Sequence, residues 1–135
     1  MLTCLELALI CMLPDYYLPP PKVIFDYPAL MVIYDPSLGG INCDADCTTV
    51  AIGPLTEEMW ETSGACHPDL LGLTIYFPAI DFTMDCVDTG GLVTIAFNEY
   101  YQKEVLYFDV MWPASNPPYW LYWYLDHWYV KGGIG

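Results

Sequence analysis

Two aspartates draw attention by the company they keep. Asp109 lies in the run 104–112, where strand alternation puts Val105, Tyr107, Asp109 and Met111 on one face and Leu106, Phe108, Val110 and Trp112 on the other. Both faces are apolar, so this carboxyl belongs to a strand that wants burial on both sides. An ionised carboxylate there is costly unless it is hydrogen-bonded or opens onto a cleft. Lys103 is the only cation close to it in sequence. A carboxyl so placed holds its proton to higher pH, as a general acid must. The bland alternative is a buried aspartate that simply accepts backbone or tyrosine hydrogen bonds. Asp88 ends the run 82–88, where alternation groups it with Phe82, Met84 and Cys86, just before Thr89-Gly90-Gly91. If the two carboxyls share a cleft from adjacent strands, each disfavours the other's ionisation, and the more desolvated Asp109 keeps its proton longer.

Strands must position these groups. The segments 72–77, 82–88, 92–97 and 104–112 are short, apolar and bounded by Pro, Gly, Asp or Asn. Segment 23–34 is β-branched and aromatic with Pro28 inside it, which predicts an edge strand or two short strands. Thr48 to Ile52 reads as a further short strand. Thr56 is a candidate N-cap for one short helix, with Glu57, Glu58 and Glu61 near its positive end and Gly64 as its stop. The aromatic block 118–130 reads as strand, although Leu121, Leu125 and Trp128 keep helical spacing. Many short strands with little helix predict a mainly β fold, a small barrel. Residues 1–22 form an apolar segment and a proline-rich linker, and 23–130 a single domain with an aromatic C-terminal segment. The run 1–13 is too short to span a bilayer; it lacks a basic leading region and is broken by Glu6, leaving a degenerate export signal or an apolar strand or helix.

The chain of 135 residues carries 17 acidic groups against three lysines and no arginine, a formal charge of −14. That excludes nucleic-acid binding through phosphate neutralisation and any bidentate arginine clamp, and an anionic membrane surface should repel it. With 56% hydrophobic residues and 12 tyrosines, a folded domain is expected despite the charge. Six cysteines favour an oxidising compartment over zinc, because no matched Cys-x-x-Cys pairs are present; free buried thiols are the remaining option. Cys66 precedes the 72–77 strand and Cys86 sits in 82–88, so neighbouring strands would join them; Cys43–Cys47 is the second expected bond.

Several weaker patterns compete. Asn42-x-Asp44-x-Asp46 resembles the opening of a calcium loop, but Cys47 and Gly53 stand where glycine and glutamate belong, so no metal is assigned. A Cys66/His67 thiol catalyst fails because adjacent strand residues point to opposite faces. Asp-Thr-Gly occurs once, where an aspartic protease needs two copies. Trp120, Trp123 and Trp128 are candidates for a sugar-stacking platform, for core, or for a self-association contact.

The order Tyr34-Asp35-Pro36-Ser37, Ala65-Cys66-His67-Pro68, Gly72-Leu73-Thr74-Ile75-Tyr76, Cys86-Val87-Asp88-Thr89-Gly90-Gly91 and Phe108-Asp109-Val110 resembles the 3D domain, named for three aspartates. That domain is similar to the core of the membrane-bound lytic transglycosylase A family, and the resemblance spans about residues 30–112. It implies a small six-stranded double-psi β-barrel, also seen in expansin-like proteins. It further implies cleavage of peptidoglycan, with Asp109 as acid then base, Asp88 as its partner, and Thr89, Gly90, Gly91 and Tyr107 against the glycan. His67-Pro68 stands where many members have Asp-Pro, so the first aspartate is absent or displaced to Asp69. No cofactor is implied, and the expected location is extracellular or the cell envelope. A non-catalytic wall-binding module and a structural subunit on the same barrel are the alternatives.

Overall fold

A computed structural model describes residues 26–38 and 48–134. The fold is mainly β. Among the described residues ten strands run β1 (Ala29–Tyr34), β2 (Thr49–Val50), β3 (Gly53–Pro54), β4 (Ser63–Ala65), β5 (Leu73–Phe77), β6 (Phe82–Asp88), β7 (Ile95–Asn98), β8 (Lys103–Met111), β9 (Tyr124–Leu125) and β10 (Tyr129–Gly133). Eight of them form one sheet in the order β10-β5-β6-β4-β8-β1-β9, with β7 also paired to β8, while β2 and β3 make a separate hairpin. The sheets do not close into a barrel.

β8 organises everything else. Along one edge it pairs parallel with β1, from Ala29↔Leu106 to Tyr34↔Met111. Its other edge is shared: β7 takes residues 103–106 and β4 takes 109–110, both antiparallel. β1 is therefore an interior strand and not the expected edge. Pro28 lies just outside it, where a missing N–H costs no ladder bond, and its carbonyl accepts from Leu106 N at 2.8 Å.

The short helix expected after Thr56 is present as a single 3-10 turn, Glu57–Met59, with Thr56 at its N-cap position. Three more 3-10 turns among the described residues lie at Pro36–Leu38, Pro68–Leu70 and Pro78–Ile80. At 57–59 the Thr56 side chain makes no cap bond, and the turn ends at Trp60, whose backbone is extended at φ −63° and ψ 134°. Gly64 does not terminate a helix; it is the middle residue of β4. A Cβ there would run into the Asp109 carbonyl and come within 2.8 Å of Val110 Cα, so only glycine lets β4 lie this close to β8. Block 118–130 is mostly turn and irregular chain, with β9 and the start of β10 as its only ladder residues.

Alternation divides β8 as the sequence predicts. Leu106, Phe108 and Val110 join the main core with Met31, Ile75, Phe77, Met84 and Cys86. Phe108 meets Phe77 and Trp128 edge-on, at 5.0 Å and 5.2 Å. The Cys66–Cys86 disulfide is formed, with Cα atoms 5.6 Å apart, and both residues lie in this core. Cys66 reaches Cys86 from the end of β4, which pairs with β6, and not from β5. The expected Cys43–Cys47 bond, the 42–46 loop and the N-terminal segment with its linker lie outside the described residues.

Candidate functional site

Asp109 sits on the opposite face of β8, between two unlike environments. Towards the strand's end, Met111 packs with Val50 and Val87 in a small apolar cluster, against which Tyr34, Leu55, Met59 and Trp60 are laid. Towards its beginning, the face opens into a cavity of about 460 Å³. β1 contributes Val32 and Ile33 to its wall, and Tyr107 and Asp109 come from β8. The loop after β6 adds Gly91, Leu92 and Thr94, β7 adds Ala96, and the turn before β9 adds Tyr122. No lysine, arginine or histidine is among the described residues lining it.

The Asp109 side chain is almost fully enclosed, at 4% exposure, and its Oδ1 has no hydrogen-bond partner. Burial, reinforced by the nearby Asp88 charge, raises its pKa from 3.8 to about 7. Neither of the described lysines offers relief. Lys103 Nζ donates to the Tyr124 hydroxyl at 3.3 Å, six residues and about 20 Å along the strand, and Lys131 lies over the Tyr76 ring.

Asp88 is the opposite case. Its Oδ1 accepts from Ala51 N at 3.1 Å and Thr89 N at 2.9 Å, and its Oδ2 accepts from the Tyr34 hydroxyl at 3.3 Å. Burial and the two carboxylates push the Tyr34 phenol far above its ordinary range, so it serves only as a donor here.

Two expectations about Asp88 need correcting. It does not lie on the strand next to Asp109, because β4 runs between them and Ala65 is the register partner of both. At ordinary strand spacing this puts the two Cα atoms about 10 Å apart. Nor does Asp88 share a face with Cys86. The β4–β6 register runs Ser63↔Asp85, Gly64↔Cys86, Ala65↔Asp88, so Val87 is an extra residue, a bulge. The bulge leaves Cys86 in the main core and turns Asp88 with Val87 towards Tyr34 and Asp109. Simple alternation misplaces Asp88 for this reason, and Asp88 is not in the wall of the cavity, but its charge does raise the pKa of Asp109 as anticipated.

Of the residues expected to meet a glycan, Gly91 and Tyr107 line the cavity. Thr89 instead donates its N–H to Asp88, and neither it nor Gly90 is in the cavity wall. Asp69, the displaced candidate for a third aspartate, is exposed on a 3-10 turn where its N–H donates to His67 Nδ1 at 3.1 Å. Asp35 braces the end of β1. It accepts from Ala114 N at 2.9 Å and from the Ser37 N–H and hydroxyl. Desolvation opposes its charge, but these bonds together outweigh it and hold its pKa low.

Trp120 is packed into the main core and Trp128 against it, and Trp128 Nε1 donates to the Tyr27 carbonyl at 2.6 Å. Only Trp123 of the three is exposed. Tyr34, Ala51 and Tyr122 escape sequence reasoning; the first two act through a contact 54 or 37 residues away, and the third through its backbone. No helix among the described residues is long and apolar enough to cross a membrane. No family model, no curated protein and no solved structure matches this chain. Function therefore has to be read from the geometry.

Proposed function

We propose that the cavity over Asp109 is the cleavage site of a cell-wall glycan, worked by one aspartate as acid and then base. The observation that carries this reading is an enclosed carboxyl with an unpartnered oxygen at a cavity wall, protonated near neutrality. A proton held at about pH 7 is the requirement for protonating a leaving oxygen.

In the proposed reaction Asp109 gives its proton to the glycosidic oxygen as the C1–O bond breaks. The 6-hydroxyl oxygen of the same sugar then bonds to C1, and its proton passes to the Asp109 carboxylate. The products are an anhydro sugar and a free hydroxyl end, and the acid is regenerated without water. Asp88 is poorly suited to act as a second reacting carboxylate. Both its oxygens accept protein hydrogen bonds, and a strand separates it from Asp109, where a retaining hydrolase needs its pair only about 5 Å apart. Its part is to keep Asp109 protonated.

This is the chemistry that the resemblance to the 3D domain implies. The parallel pairs β1–β8 and β4–β6 are compatible with the double-psi arrangement of that domain. The disulfide is compatible with an extracellular or envelope location. Release of anhydro-muropeptides from purified peptidoglycan tests the proposal. The wild type should release them and Asp109→Asn should lose at least about a hundredfold in rate, the usual range for a missing acid–base group. A wild type that releases none, beside an active control transglycosylase, would leave the same cavity as a binding site only.

A further inference from the structure

Tyr122 has a backbone that its side chain does not favour. Its φ is 66°, in the left-handed region that bulky residues avoid, and the residue is 66% exposed. Packing does not explain the strain, because so little of the ring is buried. The turn around it is nonetheless closely tied. Tyr122 N donates to the Met31 carbonyl at 2.7 Å, and Met31 N donates to the Trp123 carbonyl at 3.0 Å. Leu121 N and Trp123 N close local bonds to Pro118 and Trp120. The strain is thus held by β1, the strand that also supplies Val32 to the Asp109 cavity, and its outcome is an exposed aromatic residue in the wall of that cavity. Strained residues of this kind persist where the surroundings over-determine them, and they cluster at ligand sites.

The remaining wall narrows what the ring could meet. Leu92, 72% exposed, and Ala96 are apolar, Thr94 and Tyr107 add hydroxyl groups, and no described lining residue is a cation. Asp109 and the nearby Asp88 make the site unfavourable to anions. The volume suits a saccharide of a few rings.

We infer that Tyr122 is the stacking platform for an uncharged pyranose ring in the Asp109 cavity, and that the site discriminates against anionic sugars. This rests on the glycan reading above and names its substrate class. One apolar C–H face of the pyranose lies on the phenol ring, while the hydroxyls of Thr94 and Tyr107 meet its polar edge.

The test separates binding from cleavage. Asp109→Asn protein is titrated with the neutral N-acetylglucosamine tetramer and with tetragalacturonate, with and without Tyr122→Gly or Tyr122→Phe. Glycine accepts the positive φ without strain, and little buried area is lost. Tyr122→Gly should therefore keep or raise the melting temperature while weakening the neutral tetramer by about tenfold or more. Tyr122→Phe should retain affinity, and tetragalacturonate should bind at least about tenfold more weakly than the neutral tetramer. Tyr122→Gly binding as tightly as its parent, equal binding of the anionic oligomer, or no binding of the neutral one would each overturn the inference. Anhydro-muropeptide release by otherwise wild-type protein judges the cleavage reading on its own, so the two can fail separately.

Discussion

The two faces of β8 are built from the same strand and do opposite things. Leu106, Phe108 and Val110 enter a dry core stapled by the Cys66–Cys86 bond. One residue over, Tyr107 and Asp109 look into a cavity and Met111 into a small apolar cluster. The first face lowers the free energy of the fold. The second raises it, since an enclosed carboxyl with a bare oxygen and an acidic neighbour is unfavourable in its charged form. A strand anchored firmly on one side can carry a group on the other that would not stabilise a fold by itself.

Removing a ring from the core face should have the largest effect on stability. Phe108→Ala should cost about 3–5 kcal/mol, the range for a large aromatic lost from a packed core. The loss should be the same at pH 5 and pH 8 in urea titrations, because nothing on that face titrates there. Next comes the staple. Replacing Cys66 and Cys86 together by alanine opens a link spanning 20 residues and should cost about 3 kcal/mol. Chemical unfolding of the double variant measures it.

The other face should answer to pH. Asp109 has a pKa of 3.8 when unfolded and about 7 when folded, so between those values the native state binds more protons. The stability it confers is fully present below about pH 4 and is lost as pH rises through about 7. Asp109→Asn removes this dependence. The stability of the variant relative to wild type should thus improve by about 2–3 kcal/mol between pH 5 and pH 8. A difference that stays flat would mean that Asp109 does not hold its proton. The smallest effect is collective. With a net charge of −14, sodium chloride between about 0.01 and 0.3 M should raise the melting temperature by screening repulsion. A falling profile would show that the acidic groups are already compensated.

Much of this comparison was legible in the sequence. The double-sided apolar run around Asp109 revealed both the central strand and the buried acid, and the Cys66–Cys86 bond was expected, although Cys66 reaches it from β4 and not from the strand that was counted on. What escaped were features that leave no mark in a hydrophobic pattern. β4 is only Ser63-Gly64-Ala65, too short and too small to read as a strand, yet it separates the two aspartates. The bulge at Val87 lies in the run Cys86-Val87-Asp88, where either register gives a plausible pattern, so the side taken by Asp88 is decided by pairing with β4. β1 looked like an edge because Pro28 was counted inside it. The left-handed turn at Tyr122 is set by two hydrogen bonds to Met31, some ninety residues away, and no local propensity foretells it.

The central claim is that Asp109 is an acid at neutral pH because it is enclosed beside Asp88. Carbon-detected NMR titration of the aspartate carboxyls, assigned through Asp109→Asn, measures this directly. The Asp109 resonance should titrate with a midpoint near 7, and that midpoint should fall in Asp88→Asn, where the neighbouring charge is gone. A midpoint near 4 in the wild type would contradict the account, for Asp109 would then be an ordinary carboxylate with no proton to give.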